Sequence, residues 1–337
     1  MRTITSHRQT RNTNIEILRF ILISFICFWH IIIHGYNFKH IGQEPLLYHP
    51  DISLTTFLLA LFSPAVFCFM FISGWYGIAF SKKKLSVFVF SGICCYFCSW
   101  FIRYIWTGDI ILRALLTHLL PIASGRWWFL TGYIQVFLIA PFIEAGIKSI
   151  KRETFKYIVF IMTMIEIGSF INLVPNYGST FYGLLYIYII ARYFRLQHIT
   201  FSTASLLATY ICSLILLWLL CNYFAHQEGG RAHYAFILLN YNNPLIIFMA
   251  ISIFLLCNKL HPSHNIRLNS ILSNVLAVYL MTEGIDNILY QYEAQLISKS
   301  PYIGIVLSIL IIIGCLIFGK ILMIAHRKIY GLIFHDI

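Results

Sequence analysis

The sequence predicts an all-α polytopic membrane protein with about ten transmembrane helices. Of its 337 residues, 59% are hydrophobic and only 11% are charged, and the mean hydropathy is +0.79. A soluble domain is about 45–50% apolar and about 25% charged. A soluble protein of this length could not bury so much apolar surface, so we expect the lipid bilayer to cover most of it.

Ten mainly apolar segments approach or reach the length needed to cross a bilayer, which is about 20 residues. These segments are 15–34, 55–80, 85–106, 127–147, 156–173, 179–194, 201–224, 241–257, 271–290 and 302–325. The segments between them are short, which leaves no space for a soluble domain. We therefore predict a single transmembrane domain over 15–325, flanked by cytoplasmic segments 1–14 and 326–337.

The positive charges indicate how the protein is oriented. Lysine and arginine total 24 against 12 acidic residues, a formal charge of +12. With the N-terminus in the cytoplasm, 18 of the 24 basic residues fall on the cytoplasmic side, and the excess alternates from loop to loop. This is the distribution that the positive-inside rule describes, so both termini are predicted to be cytoplasmic. Because the basic excess follows the topology, no nucleic-acid partner is expected.

The nine cysteines all fall inside apolar segments, without metal-type spacing to histidines. Buried cysteines behave as small apolar side chains. We expect them to fill space between helices, and we expect no metal site.

The first predicted span carries four ionisable residues in an otherwise apolar stretch, namely Glu16, Arg19, His30 and His34. Ionisable residues inside a membrane are energetically costly and often functional. The separation of Arg19 and His30 lies within about 20° of three full helical turns and spans about 16 Å. The four side chains are therefore predicted to share one helix face, with Arg19 near the cytoplasmic end and His30 in the outer half.

Two chemical roles suit this polar stripe. An arginine at the inner end can bind a phosphate of a cytoplasmic substrate, and a histidine further along can take a proton from an alcohol. Simpler interpretations stay open for both residues. Arg19 also fits a membrane anchor that extends to the interface, and His30 also fits a hydrogen-bonding residue between helices.

The arginine, the ten intervening residues and the histidine resemble the signature in the first span of the acyltransferase type 3 family. Further resemblances follow in order: Asn14-Ile15-Glu16-Ile17-Leu18-Arg19, Phe71-Ile72-Ser73-Gly74-Trp75-Tyr76, Trp128-Phe129-Leu130-Thr131-Gly132-Tyr133, Pro141, Tyr241-Asn242-Asn243-Pro244-Leu245 and Val278-Tyr279-Leu280. Members of this family are ten-span bacterial enzymes that move acyl groups, usually acetyl, from cytoplasmic acyl-CoA to extracytoplasmic sugars. The resemblance implies acyl-CoA as co-substrate, a glycan acceptor and the bacterial inner membrane as location.

One position departs from the family pattern. Many members have a histidine three residues after the tyrosine of the ninth span, whereas this sequence has Thr282 followed by Glu283. Either Glu283 takes the place of that histidine or the role is absent. We treat His30 and Glu283 as the candidate catalytic residues.

The outer halves of the predicted spans hold the residues that we expect to line one outward-open cavity: His30, Arg103, Glu166, Glu283 and Asp286. His34 and Trp128 are further candidates for acceptor binding. Trp128 also fits the aromatic belt at a membrane interface, and Arg103 also fits an interfacial anchor.

A run of three lysines, Lys82, Lys83 and Lys84, follows the second predicted span. The run is either a topology signal or, together with Arg19, a basic patch that attracts the phosphates of CoA.

These features together predict an integral membrane O-acyltransferase that moves an acyl group from acyl-CoA to a hydroxyl of an extracytoplasmic or lipid-linked glycan. The alternative, from another class, is a polytopic transporter or flippase for a lipid-linked glycan, since an outer polar cavity fits that activity as well. Loss of the acyltransferase leaves a glycan without acyl groups, whereas loss of a flippase removes the glycan from the surface. The sequence leaves open which glycan is the acceptor, which acyl chain is moved and which oligomeric state the protein has. It also leaves open whether transfer is direct or passes through an acyl-enzyme.

Overall fold

The computed structural model describes residues 11–108, 124–174, 177–228, 230–285 and 287–334. Its regular elements within those residues are helices, as the sequence predicts. The principal helices are α1 (Thr13–His30), α2 (Ile52–Phe62), α3 (Ala65–Tyr76), α4 (Lys82–Thr107), α5 (Trp128–Ser149), α6 (Arg152–Ile171), α7 (Phe181–Leu196), α8 (Thr203–Ala225), α9 (Pro244–Asn258), α10 (Ile266–Leu272), α11 (Val275–Ile285), α12 (Asn287–Lys299) and α13 (Pro301–Phe334). Short helical turns lie at Ile31–Gly35, Phe38–His40, Tyr177–Ser179, Arg231–His233 and Tyr234–Ile237.

Within the described residues, eight helical stretches are long and apolar enough to cross a membrane. They are Thr13–Gly35, Ile52–Tyr76, Lys82–Thr107, Trp128–Ser149, Arg152–Ile171, Thr203–Ala225, Ile266–Ile285 and Pro301–Leu332. The remaining two predicted spans correspond to the shorter helices α7, of 16 residues, and α9, of 15 residues. A multi-pass helical membrane protein is thus confirmed, while the count of ten spans and the side on which each terminus lies stay predictions.

The two shorter helices lie in the interior of the bundle. Leu184 and Tyr188 of α7 and Phe254 of α9 are fully buried. Close approach of α3 to α7 depends on Gly74, because a Cβ at this position would lie 2.6 Å from the carbonyl oxygen of Tyr188. A helix that packs on other helices rather than on lipid can carry polar side chains that bond to those helices. Tyr188 and Arg192 of α7 are such side chains.

Three residues, which we call the clamp, join α3, α5 and α7: Glu144, Tyr188 and Arg192. Arg192 Nη2 donates to Glu144 Oε2 at 2.9 Å, Arg192 Nε lies 2.8 Å from Glu144 Oε1, and the Tyr188 hydroxyl donates to the same Oε1 at 2.6 Å. A third guanidinium nitrogen, Nη1, donates to the carbonyl oxygen of Trp75 at 3.4 Å. The clamp therefore fixes the end of α3 against two neighbouring helices.

The second predicted span is broken between α2 and α3 at Ser63-Pro64. Proline has no backbone N–H and cannot continue the hydrogen-bond ladder of a helix. The Ser63 hydroxyl donates instead to the carbonyl oxygen of Ala60 at 2.9 Å, which compensates part of the lost bonding. The break leaves two helical segments on one path through the bundle.

Helix α1 connects two opposite ends of the bundle. Its start is held by hydrogen bonds from Thr13 N to Ser263 O and from Asn265 N to Thr13 Oγ1, each 2.7 Å. Its other end continues into a π-helical turn at Ile31–Gly35 that packs on α12. We call the end that holds Thr13 the N-terminal face and the opposite end the far face; the sequence predicts that the N-terminal face is cytoplasmic.

Candidate active site

The last residue of α1, His30, lies where the helix changes to the π-helical turn. π-helical turns inside α-helices are rare and frequent at functional sites. The side chain is largely buried, since only 8% of the His30 surface is exposed. Packing of α12 against the turn requires Gly35, because a Cβ there would collide with the backbone of Tyr290. The turn and α12 together bring His30 close to residues about 250 positions later in the chain.

His30 forms a compact polar cluster with Glu283 of α11 and Tyr290 of α12, which we call the His30 cluster. His30 Nδ1 lies 2.7 Å from Glu283 Oε1. The Tyr290 hydroxyl donates to the same carboxylate oxygen at 2.9 Å and lies 3.2 Å from His30 Nδ1. In the described part of the chain, no hydrogen bond engages His30 Nε2. The cluster thus holds the ring through one nitrogen and leaves the other available.

Tyr290 is a residue that the sequence reasoning missed. Its ring is 1% exposed and stacks on His34 with centroids 5.9 Å apart. His34 in turn lies 5.6 Å from His30, ring to ring, and its Nδ1 is buried without a partner among the described residues. The only sequence signal was spacing, since Tyr290 follows Glu283 by seven residues, about two helical turns, although the two residues belong to different helices, α12 and α11.

A small cavity beside His30 has a volume of about 10 Å³, room for about one water molecule. Besides His30, its lining consists of Ile26, Trp29, Phe62, Ser63, Val66 and Tyr241. Mainly apolar and aromatic side chains therefore line this cavity beside the histidine. A larger substrate requires movement of these side chains before it reaches His30.

Arg19 lies at the other end of the polar stripe, near the N-terminal face. Its Nη1 donates to Glu16 Oε1 at 2.9 Å, and the side chain keeps 27% of its surface exposed. Arg11 Nη1 approaches the same carboxylate oxygen at 3.5 Å. Arg19 also interacts electrostatically with Tyr76 at the end of α3. The stripe is thus divided into an arginine–carboxylate pair at one end and the His30 cluster at the other.

A family model described as an acyltransferase domain matches residues 12–320, nearly the whole chain. The chain belongs to the acyltransferase type 3 family. The resemblance read from the sequence motifs is thereby confirmed, and the protein is a membrane acyltransferase. Searches of curated proteins and of solved structures found no significant match.

Several motif residues of this acyltransferase have structural roles. Gly74 permits the contact of α3 with α7. The Asn243 side chain accepts a hydrogen bond from Leu245 N and caps α9, while Pro244 occupies the first turn of that helix, a favourable arrangement at a helix start. Part of the family pattern therefore specifies packing rather than chemistry.

The predicted acceptor-binding residues occupy different places in the acyltransferase. The Trp128 ring packs on Tyr241 with centroids 5.5 Å apart, and Tyr241 lines the cavity of His30. Glu166 is fully buried on α6, and neither of its carboxylate oxygens has a hydrogen-bond partner in the part of the chain that the structure describes. Arg103 lies on α4, seven residues after Tyr96.

A single cavity lined by all five ionisable residues stays a prediction. His30 lines the cavity described above, while Arg103, Glu166 and Glu283 do not. Glu283, on α11, contacts His30 through Nδ1. Asp286 lies outside the described residues.

A second residue that sequence reasoning did not single out is Arg126, which precedes α5. Its Nη2 donates to the carbonyl oxygen of Gly284 at 3.0 Å, and its guanidinium lies 5.7 Å from the centroid of the Tyr96 ring. The hydrogen bond fixes the backbone immediately after Glu283. A lone arginine beside a tryptophan pair at a helix start was the available sequence signal.

The three lysines Lys82, Lys83 and Lys84 are exposed at the start of α4. Lys83 Nζ lies 5.7 Å from the centroid of the Tyr330 ring near the end of α13. Lys83 thus contacts α13, whereas Arg19 contacts Glu16. A joint basic patch of Arg19 and the lysines stays a prediction. In the described ranges, no group of three or more histidine, cysteine or acidic side chains is placed to hold a metal ion.

Proposed function

We propose that this membrane acyltransferase moves an acetyl group from acyl-CoA to a hydroxyl of a glycan, with His30 as general base. The observation that carries the proposal is the 2.7 Å contact between His30 Nδ1 and Glu283 Oε1. A carboxylate at one imidazole nitrogen fixes the tautomer that keeps its proton on that nitrogen. The other nitrogen, Nε2, then has a free lone pair with which to accept the proton of an alcohol.

The charge of Glu283 also favours the reaction as it proceeds. When Nε2 takes a proton, the imidazole becomes a cation, and a carboxylate at Nδ1 stabilises that cation without itself becoming protonated. The Tyr290 hydroxyl holds the same carboxylate oxygen at 2.9 Å, which limits the orientations that Glu283 can adopt. Tyr290 is therefore a positioning residue, and Glu283 acts in the place of the histidine that many family members carry.

The proposed transfer is direct. The acceptor hydroxyl gives its proton to His30 Nε2 while its oxygen forms a bond to the thioester carbonyl carbon. The resulting tetrahedral intermediate collapses with cleavage of the carbon–sulfur bond, and the imidazolium returns the proton to the departing thiolate of CoA. The products are the O-acetyl ester and free CoA, so that the histidine ends in its starting state.

The donor is proposed to reach His30 from the N-terminal face and the acceptor from the far face. Arg19 lies near the first of these, and the two ends of the polar stripe are about 16 Å apart along α1. With the N-terminal face in the cytoplasm of a bacterial inner membrane, this arrangement places cytoplasmic acyl-CoA and an extracytoplasmic or lipid-linked glycan on opposite sides of the histidine. Trp128, which packs on a residue of the cavity wall, and His34 are proposed to contact the acceptor.

The variant His30→Ala tests this function. We expect transfer of labelled acetyl groups to surface polysaccharide to fall by about 10²- to 10⁴-fold, which is the usual contribution of a general base. The amount of polysaccharide at the surface and the amount of protein in the membrane should stay at wild-type levels. Loss of the polysaccharide itself would instead support a flippase.

The matched control is His326→Ala. His326 is also a buried histidine, 4% exposed, but it lies near the end of α13, where its Nε2 is 3.0 Å from Ser86 Oγ. Removal of this imidazole should leave specific activity at the wild-type level. Wild-type acetylation in His30→Ala would contradict the assignment of His30 as the base.

A further inference from the structure

A second cavity, of about 280 Å³, lies at the N-terminal face, away from His30. It is formed by the ends of α3, α7 and α9, the loop 197–202 and the start of α8. Its position is fixed by contacts with the start of α1, since Cys257 Sγ lies 3.5 Å from Asn14 O and Asn14 Nδ2 donates to His261 O at 2.8 Å. The volume is close to the lower end of the range of small-molecule sites, about 300 Å³.

The cavity has an apolar floor and a basic rim. Trp75, Leu206 and Leu255 are buried in the floor. Arg195, His198 and Lys259 line the cavity from exposed positions. None of the described residues that line it carries a carboxylate, so the positive charge is not neutralised from within the cavity. Such a surface favours a ligand that combines phosphate groups with a flat organic portion.

The guanidinium of Arg195 is held in place by the floor. It lies 5.3 Å from the centroid of the Trp75 ring, a cation–π distance, and Trp75 is in turn tied to the clamp through its carbonyl oxygen. Polar groups of Asn258 and Thr200 are also part of the lining and can hydrogen-bond a base or a sugar. The preformed cationic group and the neighbouring amide make this a built site rather than a scatter of surface charges.

The cavity adjoins the inner end of the polar stripe on α1. Asn258, which lines the cavity, directly follows Cys257, whose Sγ lies 3.5 Å from the carbonyl oxygen of Asn14 at the start of α1. From Arg19, His30 is about 16 Å further along α1. A donor anchored by its phosphates in the cavity therefore needs a long flexible arm between these phosphates and its reactive thioester, and coenzyme A has such an arm.

We propose that this cavity binds the phosphorylated nucleotide portion of acyl-CoA, with Arg195 and Lys259 on its phosphates. The inference rests on the proposed function for its biological meaning, but the binding itself is measurable without acyl transfer. It moves the phosphate site from the exposed lysines at 82–84 to the cavity lined by Arg195 and Lys259. An anionic lipid headgroup offers the same phosphate chemistry, so the experiment has to separate the two sources.

The test is binding of adenosine 3′,5′-bisphosphate to the full-length protein in nanodiscs of zwitterionic lipid, measured by calorimetry. The variants are Lys259→Gln and Arg195→Gln, each of which removes one charge at the rim. Lys83→Gln tests the rival lysine patch, and Lys328→Gln is the matched control for an exposed lysine on α13. A parallel series contains phosphatidylglycerol in the nanodisc, and unphosphorylated adenosine serves as the ligand control.

We expect Lys259→Gln and Arg195→Gln each to weaken bisphosphate binding by about tenfold, as the loss of one charge-assisted contact does. Lys83→Gln and Lys328→Gln should bind as the wild type does, and phosphatidylglycerol should leave the affinity unchanged. Wild-type affinity in both Lys259→Gln and Arg195→Gln, or competition by phosphatidylglycerol, would overturn the proposal. So would weaker binding by Lys83→Gln in place of these two.

The variant His30→Ala separates this inference from the proposed function. It should lose acetyl transfer yet bind the bisphosphate with wild-type affinity. If His30→Ala still transferred acetyl groups while Lys259→Gln lost binding, the catalytic assignment would fail and the nucleotide site would stand. If His30→Ala lost transfer while the rim variants bound normally, the nucleotide site would fail and the catalytic assignment would stand.

Discussion

The clamp and the His30 cluster are both three-residue polar networks inside an apolar bundle, and both centre on one glutamate and one tyrosine. In the clamp, each oxygen of Glu144 has a guanidinium nitrogen within 2.9 Å, and the Tyr188 hydroxyl adds a third contact at 2.6 Å. In the His30 cluster, the recorded contacts converge on Glu283 Oε1 and His30 Nδ1. The clamp engages both carboxylate oxygens of Glu144. In the His30 cluster, by contrast, no hydrogen bond within the described residues engages Nε2 of His30.

The difference separates stability from chemistry. An arginine carries a permanent charge, and removal of its partner in the clamp leaves that charge in a poorly solvated place. A histidine is neutral or charged depending on its proton, so the His30 cluster is able to gain and lose a proton. We expect substitutions in the clamp to reduce stability and substitutions in the His30 cluster to reduce turnover.

The largest expected effect is that of Glu283→Gln on turnover. The amide keeps the size of the side chain but loses the charge that stabilises an imidazolium and can favour the wrong tautomer. We expect specific acetyl-transfer activity to fall by about 10²- to 10⁴-fold, with an unchanged amount of folded protein in detergent. Glu144→Gln is the matched control, and it should lower the yield of folded protein more than the activity of each folded molecule. The reverse pattern would remove the distinction between the two networks.

The next effect is that of Arg192→Met on stability. This change leaves Glu144 partly buried without its cation, and breaking a buried pair in this way costs about 3 kcal/mol. Thermal unfolding followed by tryptophan fluorescence should show a lower midpoint. Arg152→Met, at an exposed position at the start of α6, is the control and should leave the midpoint unchanged. An unchanged midpoint in Arg192→Met would show that the clamp adds no net stability.

Gly74→Ala tests the packing beside the clamp. The added methyl group would lie 2.6 Å from the carbonyl oxygen of Tyr188, and this overpacking exceeds the gain in helix propensity from alanine. We expect a loss of about 2 kcal/mol in unfolding free energy. Gly146→Ala, where a Cβ meets nothing within 4 Å, should be neutral or slightly stabilising. A neutral Gly74→Ala would mean that α3 and α7 can separate at low cost.

Tyr290→Phe has the smallest expected effect. It removes one hydroxyl that holds Glu283 Oε1 and retains the ring that stacks on His34. One such hydrogen bond contributes about 1 kcal/mol, so turnover should fall by about fivefold, without a change in the Michaelis constant for acyl-CoA. Tyr292→Phe, at an exposed position on the same helix, is the control. A loss as large as that of Glu283→Gln would give Tyr290 a direct part in the reaction.

Much of this architecture follows from local features of the sequence. The apolar segments locate the helices, and the cost of charge in a membrane directs attention to Arg19, His30 and Glu283. The structure then pairs the last two, although they are separated by more than 250 residues, and such a contact depends on how α1, α11 and α12 pack together. Periodicity along one segment contains no information about that packing.

Other features were hidden for different physical reasons. Hydropathy treats all apolar segments alike and does not show that α7 and α9 lie in the interior of the bundle. Tyr290 reads from the sequence as an ordinary aromatic residue, and its importance depends on the direction in which its hydroxyl points. Arg126 was inconspicuous because its partner is a backbone carbonyl group, that of Gly284, which no sequence pattern identifies.

The break between α2 and α3 lies beside His30. Phe62, Ser63 and Val66, which flank the break, form part of the wall of the small cavity. Bending an intact helix strains a continuous ladder of hydrogen bonds, whereas this path through the bundle already lacks one rung at Pro64. The wall of the cavity is therefore built at the point where this path bends at the lowest cost. A change in the angle between the two short helices would enlarge the cavity beside His30 while the rest of the bundle keeps its packing.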